Sequence, residues 1–193
     1  MYNAAVWLAS AQSQASDTLE INWRSFSLEQ ANNKEGPDWK IWDQPSDYPS
    51  RGFLALRAGE AARLQGESAF NKFHLALLKA RHEDRQKIAD TEVLVNIAAS
   101  VGLDIERFKQ DLQDESLITK IKEDHIEAVE QHGVFGTPTF VFQDGASAFL
   151  KLLKPPDQDA PRLLEILAEV MGKWNYIGEI KRPQPPWPKG VYE

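Results

Sequence analysis

Few residues in this chain are of a type and spacing that could do chemistry. The histidines fall in two pairs, His74 with His82 and His125 with His132, on stretches of helical period. Neither pair has a third residue at a recognised metal spacing and no His-Glu-x-x-His occurs, so each histidine reads as packed and hydrogen-bonded, and no metal ligand is assigned. His132, shortly before Pro138, is the one that could end near a binding cleft. The acidic clusters Asp111-Asp114-Glu115 and Glu123-Asp124-Glu127 read as solvated helix faces. Ser10, Ser13 and Ser16 lack the strand-turn-helix setting of a serine nucleophile. Cysteine is absent altogether, which excludes disulfides, thiolate metal ligands and a cysteine nucleophile from these residues. What remains is a backbone feature. Gly136-Thr137-Pro138 stands in GVFGTPTFVF, where a proline either opens an edge strand or follows a cis peptide bond. Trp39 and Trp42 lie in the proline-rich stretch GPDWKIWDQPSDYP, and such aromatics pin a loop to the body more often than they cover a ligand.

The elements that must position these residues can be read from composition and period. The chain has 193 residues, 42% hydrophobic and 26% charged, enough for a globular domain with a sizeable core. A net charge of -7 opposes binding to a phosphate backbone, so no nucleic-acid partner is expected. No apolar run is long enough to span a bilayer and the first residues lack a signal-peptide pattern, so a soluble, cytoplasmic protein without a membrane partner is expected. Residues 3–15 are rich in alanine and read as a helix that must bury Trp7. Residues 19–26 alternate with a period of two, with Leu19, Ile21 and Trp23 on one face of a strand. From 51 to 132 the signals are helical: Phe70, Phe73, Leu77 and Ala80 form one stripe, Val93, Leu94, Ile97 and Val101 a second, and Ile118, Ile121, His125 and Val129 a third on the long helix 116–132. Asp90 and Asp104 sit at expected N-caps, Gly66 and Gly102 at expected C-caps. Thr139–Gln143 and Ala148–Leu153 read as a hairpin across Asp144-Gly145. A last helix opens near Asp159, with Pro161 in its first turn, and stops at Gly172. The final KRPQPPWPKG is polyproline-like. Strands at both ends of a helical block imply an α/β domain with an insertion. Residues 1–35 and 133–180 would form the discontinuous domain and 51–132 the helical insertion, with 36–50 a loop and 181–193 an extended tail.

GVFGTPTFVF resembles the loop that precedes the third strand of thioredoxin-like proteins, in which the bond before the proline is cis. The resemblance implies that Gly136, Thr137 and Pro138 form a platform whose free backbone N–H and C=O pair with an extended substrate or with glutathione. Over nearly the whole chain, INWRSFSLEQ, the helical block, GTPTFVF and KRPQPPWPKG are similar to DsbA-family proteins of the FrnE kind, relatives of 2-hydroxychromene-2-carboxylate isomerase and kappa-class glutathione transferase. In that family a first strand runs into a Cys-Pro-x-Cys motif at the N-terminus of the first helix, where the helix dipole lowers the thiol pKa. Neither strand nor motif is present in this sequence. Tyr2 and Asn3 then mark the remnant of the active-site helix, and a chain start downstream of the family's first strand is expected, with a thiol-less member of the family as the alternative.

The fold expected is therefore α/β, thioredoxin-like, with an all-helical insertion and the first strand missing. The resemblance implies a thiol–disulfide oxidoreductase, with no catalytic residue of its own in these 193 residues. The alternatives are an isomerase or transferase that depends on glutathione or another low-molecular-weight thiol, and a non-catalytic peptide-binding module. The chain itself holds no cofactor. Expected partners are a thiol- or disulfide-bearing substrate protein or a small thiol conjugate.

Overall fold

The computed structural model describes residues 1–14 and 19–181. Residue 15, Ser16 and the proline-rich run after Lys181 lie outside them. The chain divides into two compact units, residues 1–23 with 129–193, and residues 24–128.

In the first unit, α1 (Tyr2–Gln14) and α8 (Ala160–Lys173) accompany a hairpin of β1 (Thr139–Val141) and β2 (Ser147–Phe149). The alanines of α1 favour helix and let its neighbours come close. Ala4, Ala5, Trp7, Leu8 and Ala11 are buried there. Trp7, Leu8, Ala11 and Ala160 form the centre of a cluster that Ile21, Trp23, Phe140, Leu163 and Leu167 complete. Burying an indole requires a partner for its N–H, and Trp7 Nε1 donates to the Ala160 carbonyl at 3.0 Å. The hairpin pairs Thr139 with Phe149, Phe140 with Ala148 and Val141 with Ser147, antiparallel. Its turn uses Gly145 at φ 87, in the left-handed region that glycine enters without strain, and the Asp144 carboxylate accepts from the Ala146 N–H. β2 is shorter than the run 148–153 suggested.

Residues 19–26 depart more from expectation: they belong to no ladder. Among the described residues the only sheet is the two-stranded hairpin.

The second unit is helical: α2 (Leu28–Ala31), α3 (Phe53–Arg63), α4 (Glu67–His82), α5 (Thr91–Ser100), α6 (Ile105–Asp111) and most of α7 (Ser116–His132). Ala58, Ala61 and Ala62 of α3 are fully buried with Phe73, Leu94, Ala98 and Phe108; small residues on α3 leave room for the large rings opposite. Asp90 and Asp104 cap α5 and α6 through their side chains. Gly66, expected to end a helix, both ends one and begins the next. At φ 111 its N–H closes on the Arg63 carbonyl and its own carbonyl accepts from Phe70. No helix among the described residues is long and apolar enough to cross a membrane.

The division between the units falls at Trp23, earlier than the boundary at 35 suggested by sequence. Residues 24–35 go with the helices because side chains of α7 bind the Ser25 and Ser27 N–H groups and Glu60 of α3 accepts from the Ser25 hydroxyl, as detailed below.

Candidate functional site

The residues expected to form a platform stand at the entrance to β1. The Thr137–Pro138 peptide bond is cis. Pro138 is buried, Gly136 and Thr137 half-buried, and the Thr139 hydroxyl donates to the Gly136 carbonyl at 2.8 Å, closing the turn on itself. A side chain at Gly136 would meet the Phe149 ring at 3.4 Å, so glycine here serves a close approach.

The register distinguishes the two edges of β1. Leu150 N–H donates to the Pro138 carbonyl at 3.1 Å and Phe142 N–H to the Ala146 carbonyl at 2.9 Å. Residues 138, 140 and 142 thus turn their backbone groups toward β2. Strand alternation points those of Thr139 and Val141 to the outer edge, where no described strand lies. The same alternation sends Phe140 toward Trp7, whose ring centroid is 6.2 Å away, and puts Thr139, Val141 and Phe149 on the opposite face. On that face Phe149 pairs with Phe135 at 5.2 Å between centroids, and Phe135 is 73% exposed.

Tyr2 opens α1 and is half-buried. Asn3 Nδ2 donates to the Leu152 carbonyl at 3.3 Å, two residues beyond the Leu150 that binds Pro138. The start of α1 and the platform are therefore tied to one run, 150–152. His132 contributes its backbone, its carbonyl accepting from the Ser147 hydroxyl at 3.1 Å. Among the described residues no group of three or more histidine, aspartate and glutamate side chains could hold a metal ion.

A second polar assembly lies within the helical unit, and sequence reasoning missed it. Ser25, Ser27, Glu60, Asp124 and His125 are the buried polar residues of the chain's described part, and they bind one another. The Ser25 hydroxyl donates to Glu60 Oε1 at 2.7 Å, the Ser25 N–H to Asp124 Oδ2 at 3.1 Å and the Ser27 N–H to His125 Nδ1 at 3.2 Å. Arg24 meets Asp124 at 2.9 Å, Lys120 also binds Asp124, and Arg63 meets Glu60 at 3.1 Å. Two consecutive α7 side chains thus take the backbone N–H groups of two alternate residues in an extended segment. Asp124 is 4% exposed, which corrects its reading as part of a solvated face. Its neighbour His125 lies between Phe26 at 4.6 Å and Trp42 at 5.5 Å, and burial lowers its pKa from the usual histidine range. Trp39 packs on Tyr48 of the same loop at 6.0 Å, and it is the Trp42 ring that meets α7. The helical stripe through His125 was the one visible signal of this assembly; its serines and Glu60 carried none.

Residues 11–152 match a protein-family model described as thioredoxin. The chain is 28% identical over 187 residues to the uncharacterized protein Rv2286c of Mycobacterium tuberculosis, covering 96% of this chain and 77% of that protein. It is 29% identical over 150 residues to the ClpXP adapter protein SpxH of Bacillus subtilis, covering 78% of this chain and 49% of the relative. To SpxH of Bacillus licheniformis it is 34% identical over 93 residues, 48% of this chain and 31% of the relative. The chain thus spans about three quarters of the first relative and half or less of the SpxH proteins. The family match runs from within α1, through the whole helical unit and the platform, to just past β2, and it accounts for the α/β character of a mostly helical chain with a small sheet: this chain belongs to the thioredoxin family.

Proposed function

We propose that this chain is a peptide-binding module of the thioredoxin family, taking an extended segment of a partner protein onto the outer edge of β1. The observation that carries this reading is that edge itself: the backbone groups of Thr139 and Val141 face away from β2, no described strand covers them, and the exposed pair Phe135 and Phe149 lies beside them. An added strand gains main-chain hydrogen bonds along such an edge and selectivity from neighbouring side-chain pockets. Gly136, Thr137 and Pro138 shape the entrance, and Asn3 braces it through the Leu152 carbonyl. Two relatives bear the name adapter protein, in keeping with a role in binding. The proposal places the chain in the cytoplasm.

The platform also favours a second reading, a DsbA-like thiol–disulfide oxidoreductase of the FrnE kind or an isomerase or transferase that uses glutathione or another small thiol. Since these 193 residues contain no cysteine, the reacting thiol comes from outside them, on a substrate protein or a small thiol conjugate. The test is selection of binders to this chain from a displayed library of random peptides, followed by their titration against the Val141→Pro variant. Loss of binding in the variant supports strand addition, and equal binding refutes it. Saturable calorimetric binding of glutathione, with no peptides selected, shifts the assignment to the second reading.

A further inference from the structure

We propose that His125 is a pH-sensitive latch on the tryptophan loop of the helical unit, holding residues 36–43 in place while its imidazole is neutral and releasing them when it takes a proton. The geometry forms a closed chain of links. His125 Nδ1 accepts from the Ser27 N–H at 3.2 Å. Ser27 in turn caps α2, its hydroxyl oxygen accepting from the Gln30 N–H at 3.1 Å. The Gln30 side chain reaches the loop twice, accepting from the Ile41 N–H at 2.9 Å and donating to the Trp39 carbonyl at 3.4 Å. The loop then returns to its starting point, with the Trp42 ring 5.5 Å from that of His125.

An imidazole nitrogen that accepts a hydrogen bond cannot keep it once protonated, because the N–H formed there faces the Ser27 N–H. The first link then breaks and takes with it the cap that orients Gln30. The aromatic faces of Phe26 and Trp42 would favour a cation between them, but burial opposes it and prevails, keeping the pKa below the usual range. The charged groups on the surrounding elements are engaged elsewhere. Arg24 and Lys120 both bind the Asp124 carboxylate, and Arg24 also reaches Glu127 at 3.7 Å. Glu60 is bound by Arg63, Glu29 accepts from Ser50 and the Arg51 N–H, and Lys40 donates to the Pro37 carbonyl. Asp43 of the loop is exposed. The latch is therefore closed at neutral pH and opens on acidification.

The test uses the full chain labelled with 5-fluorotryptophan, its Trp39 and Trp42 signals assigned by Trp39→Phe and Trp42→Phe, and followed by fluorine NMR from pH 8 to 4.5. The wild type should show the Trp42 signal moving through one transition below pH 6.5 while the far-UV circular dichroism holds constant. His125→Gln, whose amide oxygen accepts without titrating, should give a flat profile. His125→Phe, with no acceptor, should show the released signal at pH 8. The same transition in His125→Gln, a wild-type Trp42 signal unchanged to pH 4.5, or movement only together with loss of helical signal would each overturn the proposal.

Discussion

His74 is half-buried and Asp124 buried in the helical unit, and their partners give them opposite uses. His74 stacks on Phe70 at 5.4 Å, with the Arg63 guanidinium over the same ring at 3.6 Å from its centroid. Burial first, and the Arg63 charge second, push its pKa down to about 4. In the unfolded chain an imidazole takes its proton near pH 6.5, so the unfolded state binds more protons between those values. Stability should be full above about pH 6.5 and decline as pH falls toward 4, by about 3 kcal/mol from this group. Urea midpoints of the wild type and His74→Phe across that range check this: the variant should lose most of the slope, and equal slopes would assign it elsewhere. Asp124 instead gathers Arg24, Lys120 and the Ser25 N–H. Asp124→Ala strands a buried N–H and two cations that are 49% and 40% exposed, a cost of about 2–4 kcal/mol. Asp124→Asn, which keeps an acceptor for Ser25, should lose less in the same urea assay. Sequence led to a packed histidine at 74, since an isolated histidine on an apolar stripe has few other fates. It could not show Asp124 as buried. Its partner Ser25 is 99 positions away, and only tertiary structure turns a polar helix face inward.

The elements whose signals are local were legible, and those defined by a partner were not. Helices 116–132 and 3–15 were readable because apolar spacing and alanine content act within a few turns. The aspartate caps and the Asp-Gly turn were readable because each closes on a residue two or three positions away. Residues 19–26 show a strand's alternation yet form no ladder. Period two requires only an extended backbone, and near the end of this run the Ser25 N–H is taken by the Asp124 carboxylate instead of a strand. In β1 the same alternation yields a prediction. Val141 turns its N–H outward, so Val141→Pro removes a donor from the outer edge and leaves the β1–β2 ladder intact, as prolines on edge strands do. Its fold, followed by circular dichroism, should survive while affinity for selected peptides drops by about tenfold or more, the loss of a main-chain hydrogen bond or two. Phe140→Pro, on the inner register and against Trp7, should unfold the hairpin. If both variants behave alike, the register argument fails. The Gly136-Thr137-Pro138 turn was legible in the sequence as a tripeptide; the outer edge of β1 and the Phe135–Phe149 pair depend on the register and appeared only with the fold.

For the molecule as a whole, the absence of cysteine predicts that this chain adds nothing to insulin reduction by dithiothreitol, since no thiolate is available to carry electrons. A turbidity trace faster than the blank would contradict that. The first unit is built from two ends of the chain, with the helical unit between them. That arrangement sets a timetable for synthesis. The Trp7 indole leaves the ribosome 153 residues before the Ala160 carbonyl that receives its hydrogen bond, a wait of about 8–30 s at ordinary elongation rates. The helical unit, contiguous in sequence, can complete itself during that interval. Until the last helix emerges, α1 has none of the α8 leucines to bury its apolar face, so the newborn chain spends those seconds as a finished helical body trailing a sticky leading helix, the state in which a chaperone would find it.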